Sequence, residues 1–151
     1  MARAAQPIRF NLSDFVGPDP PLAQLDFIAA DSREVAWIGG IGAGKTVGLC
    51  AKAVMVMLNY PGSRVMIARR TYDELIKTTK QTFFRVAEPL KKAGLIERPR
   101  NWEYTEQTNY VRLSTGAELH FSNLEDLTKF KNIELTWIGI DQGEENELDL
   151  M

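Results

Sequence analysis

The sequence is poor in the two residue types that most often form cross-links or bind transition metals. It has one cysteine, Cys50, and one histidine, His120, among 151 residues. A single cysteine excludes an internal disulfide and is typical of a reducing compartment. Cys50 lies in an apolar helical stretch, which predicts a buried and unreactive thiol. His120 shares a predicted strand face with Glu118 and Ser122, which favours an ordinary strand-surface histidine over a ligand or base.

The chain also lacks a long hydrophobic run. Its first fifteen residues contain no apolar core of signal-peptide length. The most apolar stretch, 47–58, is interrupted by Lys52 and is too short to span a bilayer. Internal repeats and low-complexity segments are absent from the sequence. With 44% hydrophobic and 25% charged residues, the composition predicts one soluble globular domain in the cytoplasm.

Charge is unevenly distributed along the chain, although the net charge is only -2. Residues 69–100 carry nine basic side chains against four acids, and residues 117–151 carry nine acids against two lysines. The basic side chains of 69–100 are Arg69, Arg70, Lys77, Lys80, Arg85, Lys91, Lys92, Arg98 and Arg100. Two interpretations of this basic stretch stay open: it contacts a polyanion, or it is a solvated helix face.

Apolar patterning in the first part of the chain switches between the periods of helices and strands. An extended lead-in is predicted for 1–20, a short helix within 21–31, and a short buried strand at 34–38, which reads EVAWI. A helix from residue 45 to about 59 follows a glycine-rich loop. Both faces of this helix are largely apolar, which predicts that it is sandwiched between other elements.

The second part of the sequence also switches between the periods of strands and helices. A second buried strand, RVMIA at 64–68, precedes a capping box of Thr71 and Glu74, which predicts a long helix that ends near residue 86 or 90. The sequence alternates on both sides of Ser-Thr-Gly at 114–116, which predicts a β-hairpin. An apolar run at 135–140 comes last. This order predicts an α/β fold with a mostly parallel sheet flanked by helices.

Residues 39–46 read G-x-x-x-x-G-K-T, the P-loop pattern, between an apolar run and a helix. Glycines let backbone N–H groups turn inward and approach phosphates closely, and the helix that begins near Gly44 adds its positive dipole end. Lys45 is predicted to contact the β- and γ-phosphates of ATP, and Thr46 to bind Mg²⁺ through its hydroxyl. The predicted nucleotide-binding residues of the loop are Gly39, Gly40, Ile41, Gly42, Ala43, Gly44, Lys45 and Thr46.

The apolar run at 135–140 ends in Asp141, which is predicted to orient a water bound to Mg²⁺ opposite Thr46. Hydrolysis also needs a carboxylate that polarises the attacking water. Glu144 and Glu145 follow Asp141 closely. Either one is this catalytic group, or both are surface acids.

Four stretches with their spacing resemble one family of molecular motors. They read PLAQLDFIAADSREVAWIGGIGAGKT, RVMIARRTYDELIKTTKQTFF, STGAELHFSN and LTWIGIDQGEE. Together they are similar to the N-terminal ATPase region of the large terminase subunit, the motor that packages DNA into the heads of tailed bacteriophages. The resemblance runs from about Pro21 to the end of the chain. Hundreds of families share the P-loop, so the specificity lies in the combination.

The resemblance implies a P-loop NTPase fold of the RecA/ASCE type that couples ATP hydrolysis to translocation of double-stranded DNA into a procapsid. It implies a portal protein and a small terminase subunit as further partners, a homo-oligomeric ring, and the cytoplasm of an infected bacterial host. The resemblance also implies that Gln24 contacts adenine. The alternative is that Gln24 is an exposed glutamine on a helix. Two other functions stay open: a helicase- or recombinase-like P-loop ATPase, and a non-hydrolysing nucleotide-binding or assembly module.

Two departures from the family pattern concern the catalytic groups. The loop has Ile41 and Ala43, whereas many large terminases carry an arginine inside it. The arginine finger on the γ-phosphate is therefore expected from Arg69, Arg70 or a neighbouring subunit. Gln142 stands where a glutamate usually follows the Walker B aspartate, which leaves the catalytic carboxylate unassigned and keeps the non-hydrolysing alternative open.

A third departure concerns length, because family members continue through the rest of the ATPase sheet into a nuclease domain. We expect 21–151 to be the N-terminal part of the ATPase domain, incomplete at its C-terminus and without the nuclease. The strand that bears Asp141 is expected to lie beside the strand that leads to Gly39. The chain by itself is expected to hydrolyse little or no ATP.

Overall fold

A computed structural model of the chain describes residues 9–40, 42–99, 109–125 and 132–142. The helices are α1 (Ser13–Val16), α2 (Leu22–Ala29), α3 (Lys45–Asn59), α4 (Tyr72–Glu74), α5 (Gln81–Val86) and α6 (Glu88–Lys92). A π-helical stretch, Leu75–Lys80, connects α4 to α5 and is called the π segment below. The strands are β1 (Arg64–Arg69), β2 (Ile96–Arg98), β3 (Tyr110–Leu113), β4 (Glu118–Asn123) and β5 (Trp137–Ile140).

The five strands form one mixed sheet in the order β2-β3-β4-β1-β5. Strand β1 runs parallel to both of its neighbours, β4 and β5. The pairs β2–β3 and β3–β4 are antiparallel. Strands β3 and β4 form the hairpin predicted around 114–116. The predicted α/β fold with flanking helices is confirmed, but the sheet is parallel only in its β4-β1-β5 part.

The core lies on the face of the sheet that α3 and α5 cover. Val65 and Ile67 of β1 and Phe121 of β4 are buried there, and Phe83 of α5 meets Phe121 edge to face at a centroid distance of 5.3 Å. Burying a side chain of this size stabilises a fold by about 1.5–3 kcal/mol. Helix α3 is buried along most of its length, which confirms that it is sandwiched.

The chain after β1 reverses through the predicted capping box. The Glu74 N–H donates to Thr71 Oγ1 at 3.4 Å, and the Thr71 hydroxyl donates to Glu74 Oε2 at 2.8 Å. The predicted long helix then runs through α4, the π segment and α5. It breaks at Ala87, because Pro89 has no N–H to continue the ladder and its ring crowds the preceding turn.

The predicted strand at 34–38 is wrong. The segment is not paired with any strand among the described residues, and Ile38 is 93% exposed. Among the described residues, β5 is an edge strand that pairs with β1 alone, so the strand that bears Asp141 is not paired there with a strand that leads to Gly39. A strand needs a hydrogen-bonded neighbour, and an apolar run alone does not specify one. The segment is anchored instead through Trp37, whose ring lies 5.8 Å from that of Phe27.

The lead-in predicted as extended at 1–20 contains the short helix α1, whose Phe15 joins the core. In the part of the chain that the structure describes, no helix has both the length and the apolar character needed to cross a membrane.

Candidate functional site

The glycine loop leads directly into α3. Gly44 caps the helix with a left-handed backbone, φ 78°, and Gly42 has the same φ. Only glycine adopts this conformation readily, which explains these two positions of the motif. The Lys45 ammonium folds back over the loop and donates to the Gly39 carbonyl at 2.8 Å. Ile41 lies outside the described residues.

Gln24 of α2 supports the loop from beneath. Its side chain is 3% exposed, and its amide Nε2 donates to the Gly44 carbonyl at 2.9 Å. A Cβ at Gly44 would lie 2.8 Å from the same nitrogen, so any side chain there would displace the Gln24 amide. The structure therefore places Gln24 against the loop rather than in an exposed position. Its contact with adenine stays a prediction.

Lys52 of α3 fixes the other end of α2. Its ammonium donates to the carbonyls of Phe27, Ile28 and Ala30 at 3.0, 3.2 and 2.7 Å. These are carbonyls at the end of α2, where helix groups lack internal partners and the dipole favours a cation. Burial lowers the pKa of Lys52, and the charge of Asp31 opposes that shift. Helices α2 and α3 are thus tied together at both ends of α2.

Asp141 follows β5 directly and meets the loop across the sheet edge. Its N–H donates to the Ala68 carbonyl at 2.9 Å, and its carboxylate is only 2% exposed. Thr46 Oγ1 lies 3.0 Å from Asp141 Oδ1 and 3.2 Å from Oδ2. The two residues predicted to bind Mg²⁺ are therefore neighbours in space. Strand β1 places the end of β5 at this position, because the two strands are parallel and end at the same edge.

The oxygen donors of Thr46 and Asp141 suit Mg²⁺. Among the described residues, no three His, Cys, Asp or Glu side chains cluster to hold a metal by themselves. Mg²⁺ does not need such a cluster, since it is usually bound by one or two protein oxygens together with substrate phosphates and several waters. The Thr46 hydroxyl and the Asp141 carboxylate fit that requirement.

The two candidate arginines differ in environment. Arg69 ends β1 with its side chain 9% exposed, and its Nη1 lies 3.7 Å from Asp141 Oδ2. Its Nε lies 3.9 Å from Glu74 Oε2. Arg70 is exposed. Arg69 therefore belongs to the Asp141 site in this structure, and the role of either residue as an arginine finger stays a prediction.

The candidate catalytic acids Glu144 and Glu145 lie outside the described residues. The residue before them that is described, Gln142, has a left-handed backbone with φ 54°. This conformation is uncommon for a residue other than glycine, and strained conformations of this kind cluster at active sites and switch regions. The chain therefore turns sharply directly after Asp141.

One further partner of Asp141 has no recognisable signal in the sequence. Thr79 of the π segment is fully buried, and its hydroxyl donates to Asp141 Oδ2 at 2.6 Å. A threonine inside an amphipathic helix is a routine core residue, so no local pattern marks it. Only the long-range packing of the π segment against the end of β5 reveals the contact.

Cys50 and His120 differ in burial. Cys50 is fully buried, as predicted, and burial followed by the nearby charge of Asp141 raises the pKa of its thiol well above the ordinary value of 9.0. The thiol therefore stays protonated and unreactive at neutral pH. The His120 side chain is 20% exposed on β4, and its Nε2 lies 3.5 Å from Glu118 Oε2.

The basic stretch 69–100 is only partly a surface feature. Lys80 is fully buried, with its ammonium bonded to Asn109 Oδ1 and near the rings of Tyr72 and Phe121. The expectation that Lys80 could contact a polyanion is therefore wrong, because this ammonium has an internal acceptor and no route to solvent. The basic residues of the stretch that are exposed, among those that the structure describes, are Arg70, Lys77, Arg85, Lys91, Lys92 and Arg98.

Comparison with known proteins returned no match to a protein-family model, to a curated protein or to a solved structure.

Proposed function

We propose that the chain binds Mg-ATP in the loop 39–46 and forms the nucleotide-binding part of an ATPase. The observation that carries the proposal is the 3.0 Å hydrogen bond between Thr46 Oγ1 and Asp141 Oδ1. It joins the end of the glycine loop to the end of β5, residues that are 95 positions apart. A hydroxyl and a carboxylate side by side at the opening of α3 are the groups that a magnesium-bound triphosphate requires.

The residues of the loop have separable tasks in this proposal. Backbone N–H groups at the start of α3 face the phosphates and stabilise their negative charge. Lys45 exchanges its bond to the Gly39 carbonyl for the β- and γ-phosphates. The Thr46 hydroxyl and the Asp141 carboxylate would hold Mg²⁺, the latter through water. Bound Mg²⁺ would neutralise charge on the β- and γ-phosphates.

We further propose that the ATPase is a DNA-packaging motor of the large terminase type. Support comes from the order and spacing of the four motifs and from Arg69, which lies 3.7 Å from Asp141 at the phosphate-facing edge of the sheet. In this proposal the partners are double-stranded DNA, a portal protein, a small terminase subunit and further copies in a ring. Glu144 or Glu145 polarises the attacking water. The motor works in the cytoplasm of an infected bacterium.

A second candidate is a non-hydrolysing nucleotide-binding or assembly module. It is favoured by Gln142, an amide directly after Asp141 with a left-handed backbone. An amide cannot act as a general base. A helicase- or recombinase-like ATPase shares the nucleotide site and differs from the packaging motor in its nucleic-acid substrate.

Calorimetric titration with Mg-ATP tests the nucleotide proposal. Lys45→Ala should weaken or abolish binding, because the phosphates lose their cation. Lys77→Ala, which removes an exposed lysine of the π segment, is the matched control and should bind as the unaltered chain does. Equal affinity of the Lys45→Ala variant and the control would contradict the proposal.

A further inference from the structure

The Asp141 carboxylate is oriented by a residue that belongs to neither nucleotide motif. Thr79 Oγ1 lies 2.6 Å from Asp141 Oδ2, the shortest of the contacts described for that carboxylate. An ionised carboxylate only accepts hydrogen bonds, so the Thr79 hydroxyl is the donor. Charge-assisted O–H···O⁻ bonds of this length are about twice as strong as neutral ones.

The backbone of Thr79 is fixed on both sides. The Cys50 thiol of α3 lies 4.0 Å from the Thr79 carbonyl oxygen. The next residue, Lys80, is fully buried and bonded to Asn109. The wide turn of the π segment brings both Thr79 and Lys80 to the buried side, and π-helical turns occur frequently at functional sites. The Thr79 hydroxyl is thus presented to Asp141 from a fully buried backbone segment.

The two carboxylate oxygens of Asp141 have different shortest contacts. Oδ2 accepts the Thr79 hydroxyl, and Arg69 Nη1 lies 3.7 Å from the same oxygen. Oδ1 accepts the Thr46 hydroxyl at 3.0 Å, and the same hydroxyl lies slightly farther from Oδ2, at 3.2 Å. Because Thr79 holds Oδ2, the carboxylate cannot rotate freely about its Cβ–Cγ bond. Oδ1 therefore stays directed at Thr46, the side on which a metal would be bound.

We propose that Thr79 is a positioning residue for the metal-binding carboxylate Asp141, an inference that rests on the proposed Mg-ATP site. Its hydroxyl fixes the orientation in which Asp141 and Thr46 act together. Hydrogen-bond partners behind metal ligands typically change metal affinity by about 10- to 100-fold when they are removed. Loss of this hydroxyl should therefore weaken the Mg²⁺-dependent part of ATP binding and leave the metal-independent part unchanged.

The test measures binding of a fluorescent ATP analogue by the full chain, first in EDTA and then across a Mg²⁺ titration. Thr79→Val removes the hydroxyl and keeps the shape; it should raise the Mg²⁺ concentration for half-maximal binding about 10- to 100-fold. Thr79→Ser keeps the hydroxyl and should rescue the Mg²⁺ response. Thr78→Val, which alters the exposed neighbour in the π segment, is the matched control and should behave as the unaltered chain does.

Several outcomes separate this inference from the proposed function. If Asp141→Asn loses the Mg²⁺ response while Thr79→Val keeps it, the positioning role is overturned and the nucleotide site stands. If the unaltered chain binds no analogue, or Asp141→Asn leaves the Mg²⁺ response intact, the proposed site itself fails. If Thr79→Val loses cooperative urea unfolding, Thr79→Ala is used instead, because alanine has no γ-methyl group to press against the Asp141 carboxylate. Loss of cooperative unfolding in both variants would also overturn the proposal, because it assigns Thr79 to fold stability.

Discussion

Gln24 Nε2 donates a 2.9 Å hydrogen bond to the carbonyl oxygen of Gly44, and so joins α2 to the residue that caps the loop's helix. The same carbonyl also accepts the Gly48 N–H at 2.9 Å. A buried amide that holds the last residue before α3 fixes the position of the glycine loop's backbone there. The structure thus gives Gln24 a task that is independent of the base.

The first prediction is that Gln24→Leu weakens binding of ATP and of inorganic triphosphate alike, because the loop loses its support. The variant should also lower the free energy of unfolding by about 1–3 kcal/mol, the range for a lost partner of a buried polar group. Calorimetry and urea unfolding measure the two effects. Gln81→Leu, at an exposed position of α5, serves as the control. A loss confined to ATP would support the adenine contact instead.

The second prediction concerns alkaline pH and Cys50. The folded-state pKa of its thiol is raised well above 9.0, so the stability it contributes is complete below pH 9 and is lost as the pH rises toward the folded value. The free energy of unfolding should fall with a slope of up to about 1.4 kcal/mol per pH unit. Urea unfolding between pH 8 and 10 measures it.

Cys50→Ala is the control for that experiment, because it removes the titrating thiol. The lowered pKa of Lys52 acts in the opposite direction in the alkaline range, and it acts in both proteins. The difference between the two pH profiles therefore isolates Cys50. Parallel profiles would mean that the thiol titrates alike in the folded and unfolded states.

The third prediction concerns the catalytic acid. In any form of the protein that hydrolyses ATP, Glu144→Gln or Glu145→Gln should lower kcat by about 10²- to 10⁴-fold, the contribution expected of a general base. Nucleotide binding should be retained, since neither variant alters the loop 39–46. Single-turnover hydrolysis and calorimetry distinguish the two steps. Normal turnover in both variants would place the base outside this chain.

The fourth prediction concerns DNA. If the basic stretch contacts the phosphate backbone, Lys77→Ala and Lys91→Ala should each reduce the slope of log affinity against log salt by about 1. Lys80→Met should leave that slope unchanged, because the ammonium is buried. Arg9→Ala removes an exposed charge outside the stretch and is the control. Unchanged slopes for Lys77 and Lys91 would leave only the solvated-face interpretation.

Features with strong local signals were predictable from the sequence. The helix predicted from residue 45 to about 59 is observed at Lys45–Asn59, since a glycine loop starts it and a Tyr-Pro-Gly turn stops it. The Thr71 cap and the strand that ends before Asp141 also follow from patterns within a few residues. Each of these depends on backbone preferences and apolar period, which neighbouring residues determine.

Features that depend on distant partners were not predictable. The run EVAWI has the composition of a strand but is not paired with any strand that the structure describes, because pairing depends on which strand edge is accessible in the folded sheet. Lys80 was assigned to a charged surface, although Asn109 and two rings bury it. Thr79 carried no signal, because its contact with Asp141 exists only once the π segment packs against β5.

Trp37 gives the chain a built-in optical probe at the loop. Its ring lies 5.8 Å from the Phe27 ring of α2, and it is so close to Gly48 of α3 that a Cβ there would lie 2.8 Å from the indole. Indole emission responds to local polarity, so any movement of α3 against α2 on the proposed binding of ATP should change the fluorescence of this side chain. With Trp102 and Trp137 replaced by phenylalanine, Trp37 is the one remaining tryptophan, and its emission follows the loop without an attached dye.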